Sequence, residues 1–382
     1  MRIGIDARAL TGRYTGDRTY WRSLLSALPA LDSDIEYILY TRLPIENEER
    51  IHAPNLSCKI LPSRSDRLWS LIHLPAAVRK DRCDLLHVQY TVPSPALCGC
   101  PVVTTIHDIS FRLHPEWFPW KHRILLNLSA PQSIYRAARV ITDSESSRED
   151  ILQAYKCLKT PIVTIPLGLP DGYGVSSDTE MQENANQMAK DDYGLTSPFL
   201  LAVGVMQPRK NLAMLASAFG RVRSQLGISL ILAIAGKRGW GVEEKRLQEL
   251  AAQGGGKEAA EAVRFLGYVP DNDLPNLYRA CSAFAYPSLY EGFGLPPLEA
   301  MACGAPVLVS DAPPMPEVAG EAALIISATD IQAWTEAIHL ALTDVELAQR
   351  LRQKGPLQAA RFSCKETAKK TIEVYRDVVK NR

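Results

Sequence analysis

The sequence lacks the long apolar runs that would assign it to the membrane. None approaches the roughly 20 residues that a bilayer-spanning helix requires. The first residues, MRIGIDARAL, lead directly into an apolar strand pattern, without the basic flank and cleavage site of a signal peptide. We therefore expect a cytoplasmic protein, with peripheral contact at the inner face of the membrane as an open alternative.

Neither sign of charge dominates. The chain has 43 Lys and Arg against 42 Asp and Glu, a net charge of +1. This balance argues against a nucleic-acid binder that depends on phosphate contacts. Residues 1–170 nevertheless carry 21 basic and 17 acidic side chains. The N-terminal half is therefore the one expected to meet an anionic partner or a membrane surface.

Common cofactor signatures are also missing. The eight cysteines are scattered, and no second Cys or His pair lies at a zinc-binding interval from Cys98 and Cys100. The segment GKRGWG, 236–241, lacks the Gly-Lys-Ser/Thr ending of a P-loop, and no Gly-x-Gly-x-x-Gly follows the first strand. There is no Gly-x-Ser-x-Gly nucleophile elbow.

One short acidic motif imitates a metal site. Asp271-Asn272-Asp273 follows an apolar run, as a manganese-binding Asp-x-Asp would. A Leu-Pro pair and a helical pattern come next, so an N-cap role for Asp273 is the stronger interpretation. We expect no metal and no cofactor.

What the sequence does contain is a regular alternation of apolar, β-rich runs with longer segments of helical period. Such alternation predicts parallel sheets covered by helices, and it occurs twice. The predicted strands are 2–6, 36–41, 58–61, 84–89, 101–107, 139–143 and 161–166, then 199–204, 228–236, 263–269, 282–287, 305–310 and 322–326.

This pattern predicts two doubly wound α/β domains. The N-terminal one covers 1–170, a polar, pattern-poor segment at 171–198 is interpreted as the linker, and the C-terminal one covers 199–360. A terminal helix at 361–382, apolar on one face, could pack back on the N-terminal domain. Open α/β sheets bind ligands outside the C-terminal ends of their strands, so we expect a shared site in an interdomain cleft.

The stretch SLYEGFGLPPLEAMACGAPVLVSD, 288–311, holds two glutamates on either side of seven residues. The Pro296-Pro297 pair suits the first turn of a helix, which places Glu299 in that turn as well. The free N–H groups of the loop and first turn favour oxygen acceptors such as phosphate or sugar hydroxyls.

Glu291 and Glu299 have several possible roles. A glycosidase needs two carboxyls facing each other across the scissile bond, usually from different strand ends. Here one lies on a glycine loop and the other in a helix, which favours two acceptors for hydroxyls along one extended ligand. The plain alternatives are a solvated loop charge for Glu291 and a helix-dipole partner for Glu299.

A positive element is needed if the ligand is a nucleotide diphosphate. The stretch LLAVGVMQPRKNLAMLASAF, 200–219, contains a strand, a turn with Gly204, and then Arg209-Lys210 at the start of a helix. Two cations there can neutralise a diphosphate leaving group without a metal. An exposed basic pair is the alternative.

In the first half, the predicted strand 101–107 ends at His107. A histidine at a strand end can reach a sugar hydroxyl or a moving proton, although a lone histidine is more often structural. The cluster that follows includes Trp117, Phe118 and Trp120 with basic neighbours at 121–123. It could be an acceptor platform, a lipid-facing patch, or core plus solvated charge.

The segment 264–311 resembles retaining glycosyltransferases of the GT-B fold, specifically glycosyltransferase family 4. The resemblance is clear over about 199–326 and fair over 1–170. It implies that Glu291 and the amides after it hold the donor sugar and that Glu299 binds the ribose. The donor-holding residues after Glu291 are Gly292, Phe293, Gly294 and Leu295.

The resemblance implies further donor contacts. Backbone groups around Tyr268 and Val269 would meet the nucleobase, Gly16 would approach the diphosphate, and His107 would contact the donor. Two positions depart from the family. Val205 replaces an Arg, which makes Arg209 the expected diphosphate partner beside Lys210. Arg18 and Thr19 replace the usual Gly-Arg, which leaves the role of Arg18 open.

The expected activity is metal-independent transfer of a hexose, with retention, from a nucleotide-diphosphate sugar to an acceptor hydroxyl. The stretch HDISFRLHPEWFP resembles members that use GDP-mannose, with UDP-glucose or another UDP-sugar as the alternative. The acceptor would be a glycan or a lipid-linked glycan. A paired-carboxylate hydrolase and a non-catalytic nucleotide-sugar sensor are the remote alternatives.

Overall fold

The computed structural model describes residues 1–11, 16–45, 51–156, 159–175 and 179–381, without the side chains at 121, 122 and 179. The chain divides into two compact units: Met1–Pro170 with Phe362–Arg382, and Asp171–Arg361. Each unit contains one parallel sheet flanked by helices. The predicted fold class, two doubly wound parallel-sheet domains, is confirmed.

The N-terminal unit contains a seven-stranded sheet in the order β3-β2-β1-β4-β5-β6-β7, with every neighbouring pair parallel. Its central strands are almost fully buried, as a sheet covered on both faces requires. The predicted strand ends are correct to within two residues. The strands are β1 (Arg2–Asp6), β2 (Glu36–Thr41), β3 (Leu56–Ile60), β4 (Leu85–Gln89), β5 (Val102–Thr105), β6 (Arg139–Thr142) and β7 (Ile162–Thr164).

Helices follow most of these strands. A π-helical segment, Trp69–His73, joins the helix Asp66–Leu68 to the helix Leu74–Lys80. The helices are α1 (Gly16–Leu31), α2 (Asp66–Leu68), α3 (Leu74–Lys80), α4 (Pro95–Cys98), α5 (Ser110–Leu113), α6 (Trp120–Arg136) and α7 (Glu145–Ala154).

The C-terminal unit contains a six-stranded parallel sheet in the order β10-β9-β8-β11-β12-β13. Its core lies between the sheet and helices that bury apolar faces, with Trp334 and Phe219 among its largest members. The strands are β8 (Phe199–Val203), β9 (Ile231–Ala235), β10 (Val263–Gly267), β11 (Ala283–Tyr286), β12 (Val307–Ser310) and β13 (Ala323–Ile326).

One helix of this unit falls in the range 171–198, which the sequence pattern suggested as a linker. That helix, α8, is polar, but it buries Ala185 and Ala189 and packs against α11. The helices are α8 (Thr179–Asp191), α9 (Leu212–Leu226), α10 (Glu244–Glu261, kinked at Gly255 and Gly256), α11 (Leu274–Ala280), α12 (Leu295–Ala302), α13 (Met315–Ala319), α14 (Ile331–Thr343) and α15 (Val345–Ala359).

The last helix, α16 (Cys364–Lys380), belongs to the N-terminal unit. It packs against α1, and the Tyr375 hydroxyl lies 2.6 Å from Nδ1 of the buried His87. Ala368, Ile372 and Tyr375 of the predicted apolar face are buried.

In both sheets the strand order reverses beside the first strand of the unit, between β1 and β4 and between β8 and β11. At such a switch point the loops leave in opposite directions and open a crevice at the C-terminal ends of the strands. The residues that follow β8 and β11 in one unit, and β1 and β4 in the other, therefore lie at these crevices.

Candidate active site

Three neighbouring strands of the C-terminal sheet end in glycines with positive φ: Gly204 at 142°, Gly236 at 149° and Gly267 at 69°. Gly204 N donates to the Ala235 carbonyl at 2.9 Å, and Gly236 N donates to the Gly267 carbonyl at 2.7 Å. A Cβ on Gly236 would lie 2.0 Å from the Gly204 oxygen. The loop backbones therefore approach each other more closely than a side chain would allow.

Arg209 and Lys210 occupy a 3₁₀ turn, Pro208–Lys210, between β8 and α9. Both pair with one carboxylate: Lys210 Nζ lies 2.6 Å from Glu291 Oε1, and Arg209 pairs with Oε2. Lys210 also donates to the Tyr286 hydroxyl at 2.5 Å, and Arg209 donates to the Tyr290 carbonyl at 3.2 Å. The predicted cations and the first glutamate thus form one cluster.

This cluster is charged although it is buried. Glu291 and Lys210 are 7% and 8% exposed. Burial alone would raise the pKa of Glu291, but the charges of Arg209 and Lys210 outweigh it and lower the pKa to about 2. Arg209 and Lys210 thus both pair with the single carboxylate of Glu291.

Asn211 connects the turn to other strands and was missed from the sequence. It adopts a left-handed conformation with φ of 52°. Its side-chain amide donates to the Pro287 carbonyl at 3.2 Å and to the Ala328 carbonyl at 2.7 Å. Asparagine tolerates this conformation and offers two donors, which suits a residue that ties the turn to the loops after β11 and β13. The sequence signal for this role was an asparagine directly after Arg209-Lys210.

The loop between Glu291 and α12 has the predicted form. Gly294 is the N-cap of α12 with φ of 113°, and a Cβ there would lie 2.4 Å from Met315 Cε. The two prolines are the second and third residues of the helix and so lie in its first turn, as predicted. Gly292 and Phe293 are buried, and Leu295 begins the helix. The helix ends before Gly304, whose φ is 76°.

Glu299 lies one residue beyond the first turn of α12, so its predicted position in that turn was wrong. The helix begins at Leu295, one residue before the prolines, which moves Glu299 into the second turn. Its carboxylate accepts a hydrogen bond from the Tyr278 hydroxyl at 2.9 Å, and Tyr173 is a second hydrogen-bond donor. Burial raises the pKa of Glu299 to about 7, and these hydroxyls only partly oppose the rise.

Asp273 is the N-cap of α11, but its side chain makes no capping hydrogen bond. Instead its carboxylate accepts from the Tyr193 hydroxyl at 2.7 Å. Within the described ranges, no group of three or more His, Cys, Asp or Glu side chains is arranged to hold a metal ion.

The predicted nucleobase segment follows β10. Tyr268 is 38% exposed, with the Lys237 ammonium 4.7 Å above its ring, and Val269 is buried. The side chain of Tyr268 therefore lies at the surface beside the glycine-rich strand ends.

In the N-terminal unit, His107 follows β5 and is held on several sides. Its Nδ1 lies 2.5 Å from Asp143 Oδ2, and its Nε2 lies 3.0 Å from the Gln89 amide nitrogen and 3.7 Å from Asp17 Oδ1. The Ser147 hydroxyl donates to its carbonyl at 2.9 Å. Asp143, Gln89 and Asp17 were not singled out from the sequence, because each was one polar residue near the end of a predicted element.

Gly16, the residue expected to approach the diphosphate, lies at the edge of the described ranges, because residues 12–15 are outside them. Gly16 is the first residue of α1, and a Cβ there would meet no described atom within 4 Å. The described fold itself therefore does not require a glycine at this position. Arg18 is buried at 4% exposure.

The three predicted acceptor aromatics do not share one environment. Trp117 stacks on His114 with ring centroids 4.0 Å apart, and Phe118 packs against the N-terminal core. Trp120 is 63% exposed at the start of α6. Neither the platform nor the core interpretation fits all three. The basic neighbours at 121 and 122 have side chains outside the description.

Comparison with known proteins agrees with this architecture. The family model of group 1 glycosyl transferases matches residues 183–358, and that of Glycosyltransferase Family 4 matches residues 14–171. O-antigen chain mannosyltransferase B of Escherichia coli is 36% identical over 276 residues, which cover 72% of this chain and 70% of that protein. Serotype-specific mannosyltransferase WbdA of Escherichia coli is 29% identical over 75% of this chain, but the match spans only 35% of its length.

A solved structure shows the same fold. HepE of Anabaena, determined in complex with UDP and glucose, superposes with a TM-score of 0.74 at 19% identity, over 99% of this chain and all of that one. Together with the family models and the 36% identical relative, the matches extend over both α/β units. This chain therefore belongs to glycosyltransferase family 4, with a group 1 glycosyltransferase module in its C-terminal half.

Proposed function

We propose that this glycosyltransferase moves mannose from GDP-mannose to a glycan or lipid-linked acceptor, with retention at the anomeric carbon and without a metal ion. The observation that carries the proposal is the buried Arg209-Lys210-Glu291 cluster at the switch point of the C-terminal sheet. Its chemistry suits a sugar held beside a leaving diphosphate.

The position of the two cations supports the metal-independent part of the proposal. Arg209 and Lys210 face a single carboxylate, and a preorganised positive charge in a buried site stabilises the charge that develops on the leaving diphosphate. Metal-dependent enzymes obtain this charge from a bound cation instead. Glu291 would hold hydroxyls of the donor sugar, and Glu299 those of the ribose.

The remaining residues complete the assignment. Gly204 and the amides from Gly292 to Leu295 would approach the donor through their backbone, and Tyr268 and Val269 would contact the base. His107 and Gly16 would serve the donor from the N-terminal unit. With these groups in place, the acceptor hydroxyl attacks the face from which the diphosphate leaves, and catalysis rests on positioning and electrostatics.

The choice of mannose rests on the name of the 36% identical relative, a mannosyltransferase. The alternative, UDP-glucose or another UDP-sugar, has support from the neighbour that binds UDP and glucose. The two differ in both base and sugar, so one binding panel separates them.

A thermal-shift panel of nucleotide sugars, with and without EDTA, tests the donor. A ligand at 100 times its dissociation constant adds about 2.7 kcal/mol of stability. When all nucleotide sugars are compared at one concentration, the donor that binds most tightly should therefore give the largest shift. We expect that donor to be GDP-mannose, with a shift that survives EDTA and is lost in Lys210→Ala. Lys245→Ala, which removes an exposed lysine of α10, is the matched control. A larger shift with UDP-glucose would favour the alternative, and loss with EDTA would contradict metal independence.

Retention is tested on the product. The one-bond coupling between the anomeric carbon and its proton, measured by NMR on the new linkage, should show the same configuration as the donor, because the proton–proton coupling there is small in both anomers of mannose. An inverted product, or release of free sugar without acceptor, would reject a retaining transferase.

We also propose that α6 contacts an anionic membrane surface. This helix packs Ala130 and Ile134 into the core, yet its other face exposes Trp120, Ile124 and Leu128 at four-residue spacing, by 63%, 48% and 65%. An exposed apolar stripe opposite the core-facing side of a helix marks a candidate interaction surface. Among the described residues no helix could span a bilayer. The contact that we propose is interfacial, with the exposed apolar side chains of α6 at the headgroup boundary.

Charge favours lipid as that partner. The helix contains no Asp or Glu, and its sequence WKHRILLNLSAPQSIYR has three Lys and Arg. Basic residues interleaved with Trp and aliphatic side chains suit the headgroup region of anionic lipids. A lipid-linked acceptor would be met at the same surface.

Vesicle flotation tests this surface. The full chain should float with vesicles containing phosphatidylglycerol and less well with pure phosphatidylcholine. Ile124→Asp with Leu128→Asp should abolish flotation, whereas Leu357→Asp, at an exposed apolar position of the other unit, should not. Absence of flotation would reject the proposal. Concentration-dependent dimerisation that the same double variant removes would assign the face to a second copy instead.

A further inference from the structure

His107 is surrounded by polar groups from four separate segments of the N-terminal unit. Asp143 follows β6, Gln89 ends β4, Asp17 lies in the first turn of α1, and Asp108 is the next residue in the chain. The rings of Tyr20 and Tyr90 pack edge-on against the imidazole, with centroids 5.0 and 5.8 Å away. The imidazole is thus oriented rather than free to rotate.

Asp143 is the strongest of these partners. Its Oδ2 lies 2.5 Å from His107 Nδ1, and the residue is 1% exposed. No described donor reaches its other oxygen, Oδ1. A buried carboxylate with so few hydrogen bonds depends on its one close partner for compensation, and that partner is the imidazole.

The opposite edge of the ring faces different groups. The Gln89 amide nitrogen lies 3.0 Å from Nε2 and 3.3 Å from the backbone oxygen of Asp17. An amide N–H that points at Nε2 needs a lone pair there, so the neutral ring carries its proton on Nδ1. When the ring gains a second proton, that proton is on Nε2, where the acceptors are the carboxylate of Asp17, 3.7 Å away, and the amide oxygen of Gln89 once the amide has turned.

We propose that Asp143 is the positioning residue of His107: it retains the Nδ1 proton in both charge states, so that the proton which the ring gains and loses is the one on Nε2. A ring held in this way accepts at Nε2 when neutral and donates there when charged. Its use in sugar transfer rests on the proposed function, whereas the position of the proton does not.

The charge of Asp143 also shifts the equilibrium between these two states. Burial alone would lower the pKa of His107, but Asp143 and, to a smaller extent, Asp17 and Asp108 raise it to about 9. Removal of the Asp143 charge should therefore return the titration of this ring toward neutral pH or below.

The proton positions can be read directly by NMR of the full chain with ¹⁵N-labelled histidine, with the His107 signals assigned by their loss in His107→Gln. We expect the neutral wild-type ring to carry its proton on Nδ1, and its titration midpoint to lie well above the ordinary value of about 6.5. A neutral ring protonated on Nε2, or an ordinary midpoint, would overturn the proposal even if no activity were measured.

Two variants separate orientation from charge. Asp143→Asn keeps an oxygen acceptor for Nδ1–H but loses the charge, so the tautomer should persist while the midpoint falls by at least about one pKa unit. In Asp143→Ala both the preference for the Nδ1 proton and the raised titration midpoint should be lost. Glu149→Gln removes an exposed charge from α7, the helix that follows Asp143, and should leave the ring unchanged. An unchanged midpoint in Asp143→Asn would overturn the proposal.

Activity supplies a second readout. If His107 acts in transfer, the alkaline limb of kcat against pH should move to lower pH in Asp143→Asn, with little change in donor KM. A fall in kcat that is equal at every pH would indicate a purely structural role for Asp143. If no nucleotide sugar is turned over, the proposed function fails while the NMR result still decides the role of Asp143.

Discussion

Glu291 and Glu299 are separated by seven residues and are almost equally buried, at 7% and 6% exposure, yet their pKa values move in opposite directions. Glu291 faces Arg209 and Lys210, and its pKa falls to about 2. Glu299 faces the hydroxyls of Tyr278 and Tyr173, and its pKa rises to about 7. Burial has the same sign for both carboxylates, so the partners decide the outcome.

The two carboxylates therefore behave differently near neutral pH. Glu291 stays ionised at every pH at which an enzyme is usually assayed. Glu299 changes charge within that range and so can change its hydrogen-bonding role from acceptor to donor.

The largest effect is expected from removing a cation of the first cluster. Lys210→Ala leaves Glu291 with one cation and removes a charge from the proposed diphosphate site, so transfer should fall by about 100-fold or more. Initial rates at saturating donor measure this, and Lys245→Ala is the control on an exposed lysine. Near-normal turnover in Lys210→Ala would break the assignment of this cluster to catalysis.

A second effect should appear in stability. The folded pKa of Glu299 exceeds the ordinary value of 4.5, so the native protein holds the proton more tightly, and stability falls as pH rises from about 4.5 to 7. Glu299→Gln should remove this loss, which is on the order of 3 kcal/mol. Urea unfolding of both proteins at pH 5 and pH 8 measures it.

Glu346→Gln, at an exposed position of α15, is the control. Its stability should change between pH 5 and pH 8 by as much as that of the wild type. If wild type and Glu299→Gln show the same pH dependence, the carboxylate of Glu299 titrates normally and the contrast with Glu291 disappears.

A smaller, roughly tenfold effect is expected on donor binding. If Glu299 accepts from ribose hydroxyls, the donor KM of the wild type should rise as pH falls through about 7, because the carboxylate gains a proton. In Glu299→Gln the donor KM should be about tenfold higher at pH 8 and flat with pH, a loss of about 1.4 kcal/mol. A wild-type KM that is flat between pH 5.5 and 8.5 would contradict this role.

The smallest effect is expected from Tyr278→Phe. The hydroxyl donates to Glu299, so its loss should raise the pKa of Glu299 further and cost about 1 kcal/mol of stability at pH 8. The midpoint of the KM profile should move to higher pH. A lower midpoint would mean that the hydroxyl does not stabilise the ionised carboxylate.

The fold could be predicted almost completely because its signals are local. Each of the thirteen strands in the described part of the chain is a short apolar run between turn residues, and each is found within three residues of its predicted ends. Helix α8 was missed because it buries little more than Ala185 and Ala189, two small residues that give no strong periodic pattern.

The site was less accessible to prediction because its partners are distant in sequence. The pairing of Glu291 with Arg209 and Lys210 joins positions 82 and 81 residues apart, and no local pattern reports it. Asp143 lies 36 residues from His107, in a segment that had the pattern of an ordinary strand end. Tyr278 had the spacing of a core aromatic, and only the fold shows its hydroxyl on Glu299.

Because α16 belongs to the N-terminal unit, that unit is discontinuous in the chain, with residues 171–361 inserted before its final helix. During synthesis the second unit can therefore complete its fold while the first still lacks the helix that carries Tyr375. Domains usually fold in the order in which they are made, and here that order is reversed for the final step. The buried surfaces of α1 and His87 remain uncovered until α16 has been translated, so a deletion that removes this helix should destabilise the N-terminal unit.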